Sequence, residues 1–141
     1  MSARTFAVSC VLLLTACAPK VAAPSTEEAA APVTDPRIEV TFPKPGDTLT
    51  GNVQITGQAR GTWYFEASFP VQLLDASGME LLSLPAQADG EWMTEDFVPF
   101  HADITVPAEA SGKGTLVLKK DNPSGLPEND AEVRIPVLLN P

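Results

Sequence analysis

The sequence predicts an all-β fold, an antiparallel sandwich, and three observations carry that prediction. From Pro36 onward, apolar residues recur at every second position in short runs. Clusters of glycine, proline, serine and aspartate separate those runs at regular intervals. Beyond the N-terminal segment, no stretch shows the three-and-four spacing of an amphipathic helix.

The elements follow in order. Ile38, Val40 and Phe42 alternate with Arg37, Glu39 and Thr41, and Val53 and Ile55 alternate with Gln54 and Thr56. Trp63, Phe65, Ala67 and Phe69 fall on one face of the next predicted strand, with Tyr64, Glu66 and Ser68 on the other. Ala102, Ile104 and Val106 come later, then Leu116 and Leu118, then Val133, Ile135 and Val137. Pro45-Gly46-Asp47, Asp75-Ala76-Ser77-Gly78, Asp89-Gly90 and Pro123-Ser124-Gly125 supply the turns. Pro70 and Pro136 lie inside runs, which predicts edge strands or bulges there, because proline cannot donate to a ladder. Residues 36–141 thus form one domain of about 105 residues and about seven or eight strands, the size of an immunoglobulin-like sandwich.

Two segments precede that domain. Residues 1–16 combine one basic residue, Arg4, with an apolar run from Phe6 to Leu14. That run is shorter than the roughly 20 residues a bilayer requires and fits a secretory signal peptide. Leu14-Thr15-Ala16-Cys17 resembles the lipobox of bacterial lipoproteins. The resemblance implies diacylglycerol on the Cys17 thiol and cleavage just before it. Ala18, where some lipoproteins carry aspartate, resembles the signal for transfer to the outer membrane in a cell with two membranes. Residues 17–35 are rich in alanine and proline and lack aromatics, so a disordered tether is expected. Cys10 is lost with the signal and Cys17 carries lipid, leaving the mature domain no thiol for a disulfide or a metal.

Four blocks of the domain occur together: IEVTFPKPGDTLTG, ITGQARGTWYFEASFPVQLLDASG, GEWMTEDFVPFHADI and GTLVLKKDNPSGLPENDAEVRIPV. In this order they resemble the immunoglobulin-like domain associated with bacterial spore germination proteins, with GTWYFEASF and DNPSGLPE the most distinctive parts. The resemblance covers nearly all of Arg37 to Val137. It implies the sandwich fold, an extracytoplasmic location and an association with germination and sporulation lipoproteins. It supplies no catalytic residues.

The residues point to binding chemistry. His101 is the single histidine and alternates outward with Asp103; no nucleophile turn accompanies it, and zinc would need further nitrogen or sulfur ligands. The acidic stretch DNPSGLPEND offers Asp121, Asn122, Glu128, Asn129 and Asp130 as oxygen ligands of the kind calcium takes. It lacks the regular calcium-loop spacing, and its composition also suits a structural turn or a partner-contact loop. Trp63 and Phe65 are expected in the core, whereas Tyr64 and Glu66, on the opposite face, are candidates for ligand contact. Trp92 lies in a segment without alternation and either covers one end of the core or stacks on a sugar ring. Without residues 1–16 the chain keeps 8 bases against 18 acids, net charge −10, which opposes nucleic acid and anionic lipid. The expected protein is therefore a non-catalytic envelope module without a cofactor, held at a membrane through Cys17. Its expected partner is an envelope protein or, alternatively, a cell-wall glycan.

Overall fold

A computed structural model describes residues 31–140. Cys17, the signal segment and most of the predicted tether lie outside the described residues. Eight strands follow along the chain: β1 (Ile38–Phe42), β2 (Thr48–Thr50), β3 (Asn52–Arg60) and β4 (Ser68–Asp75), then β5 (Glu80–Ala88), β6 (Phe97–Thr105), β7 (Gly112–Lys119) and β8 (Glu132–Asn140). Among the described residues the helical content is two short 3-10 turns, Gly61–Trp63 and Pro127–Asn129.

The fold is all-β and immunoglobulin-like, with two departures from a simple antiparallel sandwich. The strands make one continuous curled sheet in the order β1-β3-β6-β5-β4-β7-β8-β2. That sheet is mixed, since β2 runs parallel to β8 while every other neighbour is antiparallel. The cause lies in residues 43–47, where two prolines interrupt the first strand region. The Asp47 carboxylate accepts from the Lys44 N–H at 2.7 Å, and the chain steps from one edge of the sheet, beside β3, to the other, beside β8.

Alternation decides which side chains meet inside the curl. Val98, Phe100, Ala102 and Ile104 of β6 are buried, as are Val133, Ile135, Val137 and Leu139 of β8. Phe69 is the centre of an aromatic group: Phe100, Tyr64 and Trp63 pack edge-on against it at 4.9, 5.3 and 6.5 Å between ring centroids. Such edge-to-face pairs each add about 0.5–1.5 kcal/mol beyond area burial. No polar or charged residue among those described is buried.

The edge expectation for the strands of Pro70 and Pro136 is corrected, while β4 does carry an irregularity. Neither strand is an edge, since β4 lies between β5 and β7 and β8 between β7 and β2. Each proline instead sits where one neighbour has ended. The β4–β7 ladder covers Val71–Asp75, leaving Pro70 opposite Pro85 of β5. The β2–β8 ladder covers Leu138–Asn140, leaving Pro136 opposite Thr115 of β7. The irregularity in β4 falls at Leu73–Leu74, away from its proline.

The strand directions place the connections at 61–67, 89–96 and 120–131 together at one end of the molecule. Gly51 and the connections at 76–79 and 106–111 lie at the other. The chain before β1 runs along β8, where Val33 and Arg134 exchange both backbone hydrogen bonds at 3.0 Å in antiparallel sense. Traced backward from Val33, the chain therefore heads away from the first end. Asp35 fixes this entry: its carboxylate accepts from the Arg37 guanidinium at 2.6 and 2.9 Å, and that guanidinium lies 5.5 Å from the Trp63 ring centroid.

Phe69 is fully enclosed and central to the aromatic group, so Phe69→Ala should cost about 3–5 kcal/mol in a chemical denaturation curve. A loss below about 1 kcal/mol would mean that the core does not depend on this ring.

Candidate functional site

The end formed by residues 61–67, 89–96 and 120–131 holds every sequence-predicted contact residue, although not in the predicted orientations. Its centre is the segment after β3. The predicted strand through Trp63, Phe65, Ala67 and Phe69 does not exist as one element: the chain makes a 3-10 turn at Gly61–Trp63, and β4 starts only at Ser68. Period-two alternation is lost in between, which inverts two assignments. Tyr64 is buried, not outward-facing, and Phe65 is 42 % exposed, not in the core.

The Tyr64 hydroxyl donates to the Val98 carbonyl at 2.6 Å. Burial pushes its phenol far above the usual tyrosine range, opposed only in part by a backbone hydrogen bond from Ala59. A group so placed ties the segment to β6 and does not present itself to a ligand. Glu66 is exposed, at the tip of a tight turn. Phe65 and Ser68 exchange backbone hydrogen bonds at 2.9 and 3.1 Å, while Glu66 and Ala67 between them have φ of 50° and 61°. Two-residue turns with positive φ at both positions favour Asn-Gly, so Glu-Ala here carries strain.

The neighbouring connections lock onto this segment. The Gly61 N–H donates to the Asp96 carbonyl at 3.1 Å, and the Asp121 N–H donates to the Trp63 carbonyl at 3.0 Å. A Cβ at Gly61 would overlap the carbonyl oxygens of Trp92 and Thr94, so only glycine fits. Trp92 is half-buried against the core, which supports the reading that it covers one end of that core. Arg60 lies over the Phe97 ring at 4.1 Å and donates to the Glu95 carbonyl at 3.2 Å.

The acidic stretch folds as a self-bonded turn. The Asn122 amide donates to Asp130 Oδ1 at 2.7 Å and to the Leu126 carbonyl at 2.8 Å. Ser124 Oγ donates to Asn122 Oδ1 at 2.5 Å and accepts from the Asn129 amide at 3.0 Å. Lys120 Nζ reaches the carbonyls of Asp121 and Asn129 at 3.4 and 3.3 Å. Glu128 is exposed in the 3-10 turn. Among the described residues no group of three or more histidine, cysteine, aspartate or glutamate side chains is placed to hold a metal ion. His101 stands on β6, its Nδ1 2.6 Å from Asp89 Oδ1.

Sequence reasoning missed Phe65, Met93 and Leu126 as surface residues: they are 42, 74 and 50 % exposed, one on each connection. Only the left-handed turn at Glu66-Ala67 brings Phe65 out, and no glycine or asparagine signals that turn.

An immunoglobulin-like sheet with one end built from three interlocked loops presents those loops as one irregular exposed end. Within that class the chain belongs to the family described as the immunoglobulin-like domain of bacterial spore germination, whose model matches residues 37–126. A search of curated proteins finds no match. The matched stretch stops short of β8, which completes the sheet.

Tyr64 is the chain's single tyrosine, so phenolate absorbance follows it alone. Its folded pKa lies above the unfolded value of about 10, so its contribution to stability is complete below about pH 10 and is lost as pH rises beyond it. Phenolate should appear only together with alkaline unfolding; a phenolate signal in the folded protein near pH 10 would contradict the burial. Replacing Glu66-Ala67 by Asn-Gly should raise stability by about 1 kcal/mol, read as a higher melting temperature. An unchanged or lower melting temperature would show that the turn is unstrained.

Proposed function

We propose that the protein is a non-catalytic interaction module of the bacterial envelope, anchored through lipid on Cys17 and presenting its loop end to a protein partner. The observation that carries this reading is the direction of entry. Val33 pairs antiparallel with Arg134, so the chain at Val33 runs along β8 toward the loop end as it enters the domain. A head attached on that side leaves its three interlocked loops clear of the attachment. The lipobox-like Leu14-Thr15-Ala16-Cys17 supports the anchor, and the acidic chain supports attachment through lipid and not through anionic headgroups. Membership in a germination-associated family supports an extracytoplasmic setting and a germination or sporulation link for the same module.

Cys17→Ser should move the full-length protein from the membrane fraction to the soluble fraction. Retention with membranes would sink the anchor. Crosslinking the unaltered protein in intact envelopes, before and after muramidase digestion, tests the partner class. A discrete protein adduct that survives digestion is the expected result; adducts lost with the wall would favour a glycan.

A further inference from the structure

The three connections at the loop end differ from the rest of the surface in two respects. They carry eight carboxylates, one in 61–67, four in 89–96 and three in 120–131, against one base within them, Lys120, and one at their border, Arg60, whose guanidinium reaches the Glu95 carbonyl. That lysine is turned onto the carbonyls of Asp121 and Asn129. Gly51 and residues 76–79 and 106–111 at the opposite end carry one carboxylate between them, Glu109, with Asp75 and Glu80 at the border of the 76–79 turn. The acidity is therefore concentrated at one pole.

Within that pole each connection also exposes one large apolar side chain: Phe65, Met93 and Leu126. The other exposed large apolar residues, Val33, Met79 and Leu138, lie apart from it, Met79 at the opposite end and Val33 and Leu138 along β8. Solubility alone would place polar residues at these tips, and at Phe65 the chain adopts two consecutive left-handed residues next to the exposed ring. The three connections are braced by backbone hydrogen bonds, Gly61 to Asp96 and Asp121 to Trp63, so little order remains to be imposed on binding.

We infer that the loop end is a docking surface for a polypeptide that carries lysine or arginine around apolar side chains. This rests on the proposal above that the protein acts by binding a protein partner. Charge complementarity selects the occupant. Carboxylates at this density repel nucleic acid and anionic lipid, and a second copy of this chain would bring the same acidic pole or another part of a net acidic surface. Phe65, Met93 and Leu126 supply apolar anchors, while the carboxylates steer approach and set register. The partner's chemistry is thus cationic and amphipathic.

The probe is a short synthetic peptide of alternating lysine and leucine, added to the full-length protein in detergent and followed by backbone amide chemical shifts. Companion peptides replace every lysine by glutamine, or every leucine by serine. The expected result is perturbation confined to the three connections, tightest for the lysine–leucine peptide and weakened by salt over the Debye range. The surface variants Phe65→Ser/Met93→Ser/Leu126→Ser and Glu66→Lys/Glu95→Lys/Glu128→Lys should each weaken binding about tenfold or more, while Met79→Ser leaves it unchanged. Both combinations change only exposed side chains, so each should retain the folded shift pattern. Perturbation elsewhere on the sheet, equal binding of the leucine-free peptide, unchanged affinity in either variant, or no binding at millimolar peptide would each overturn the inference. The two proposals fail separately. An envelope partner that crosslinks equally to the unaltered protein and to both variants leaves the interaction module standing and removes this surface, whereas absence of any protein adduct removes the module itself.

Discussion

The contact on which the loop end depends is the one between Gly61 and the carbonyls of Trp92 and Thr94. These backbones approach so closely that a single added carbon would overlap two oxygens. Because they do approach, the Gly61 N–H reaches Asp96, Trp63 turns fully inside, and its carbonyl is left where the Asp121 N–H finds it. Three connections distant in sequence are thereby joined through one 3-10 turn. The turn also places Tyr64 so that its hydroxyl reaches Val98, tying the segment to β6. Small size at one position therefore determines the geometry of about 30 residues of loop.

How much of this was legible in the sequence depends on whether a residue's fate is decided locally. Alternation in β3, β6 and β8 could be read because each strand has one face in the core and one outside, so period two maps directly onto burial. In β5, Leu82, Leu84, Ala86 and Ala88 alternate inward, but Leu81 is half-buried beside Leu82 where the β4 register is irregular, and Pro85 interrupts the run, so the alternation is blurred in the sequence. The parallel pairing of β2 with β8 joins residues about 90 apart, and three residues of Thr-Leu-Thr carry no trace of it. Segment 61–67 misled for a sharper reason. Its side chains read as a strand, whereas a glycine contact and a pair of left-handed residues set its backbone. The acidic stretch shows the converse. Its composition suited a structural turn, a partner-contact loop or cation ligands; Asn122, Ser124, Asn129 and Asp130 satisfy one another as a turn does, and which of them would meet could not be read from spacing.

The distribution of charge follows from the same architecture. The core excludes every charged residue, and cross-strand partners such as Gln54–Asp103 and Gln58–Glu39 temper the outer sheet face. Much of the remaining charge sits on the exposed connections, and the two ends divide it unequally. Self-repulsion within the acidic pole opposes folding, but at physiological ionic strength screening over about 8 Å limits that cost. Backbone hydrogen bonds between the loops, which are insensitive to salt, hold the pole together.

With no cysteine among residues 18–141, no disulfide forms within this domain, and its stability must come from packing. That requirement explains why the aromatic group gathers where it does. Trp63, Tyr64, Phe69 and Phe100 stack beneath the loop end, under the region with the most repulsive charge and the least regular backbone. The half-buried Trp92 closes the same end from the side. Dense apolar packing below and concentrated charge above are two parts of one arrangement. The core holds rigid a surface that its own electrostatics would otherwise loosen, so the acidic surface and its apolar tips are ordered in the isolated domain.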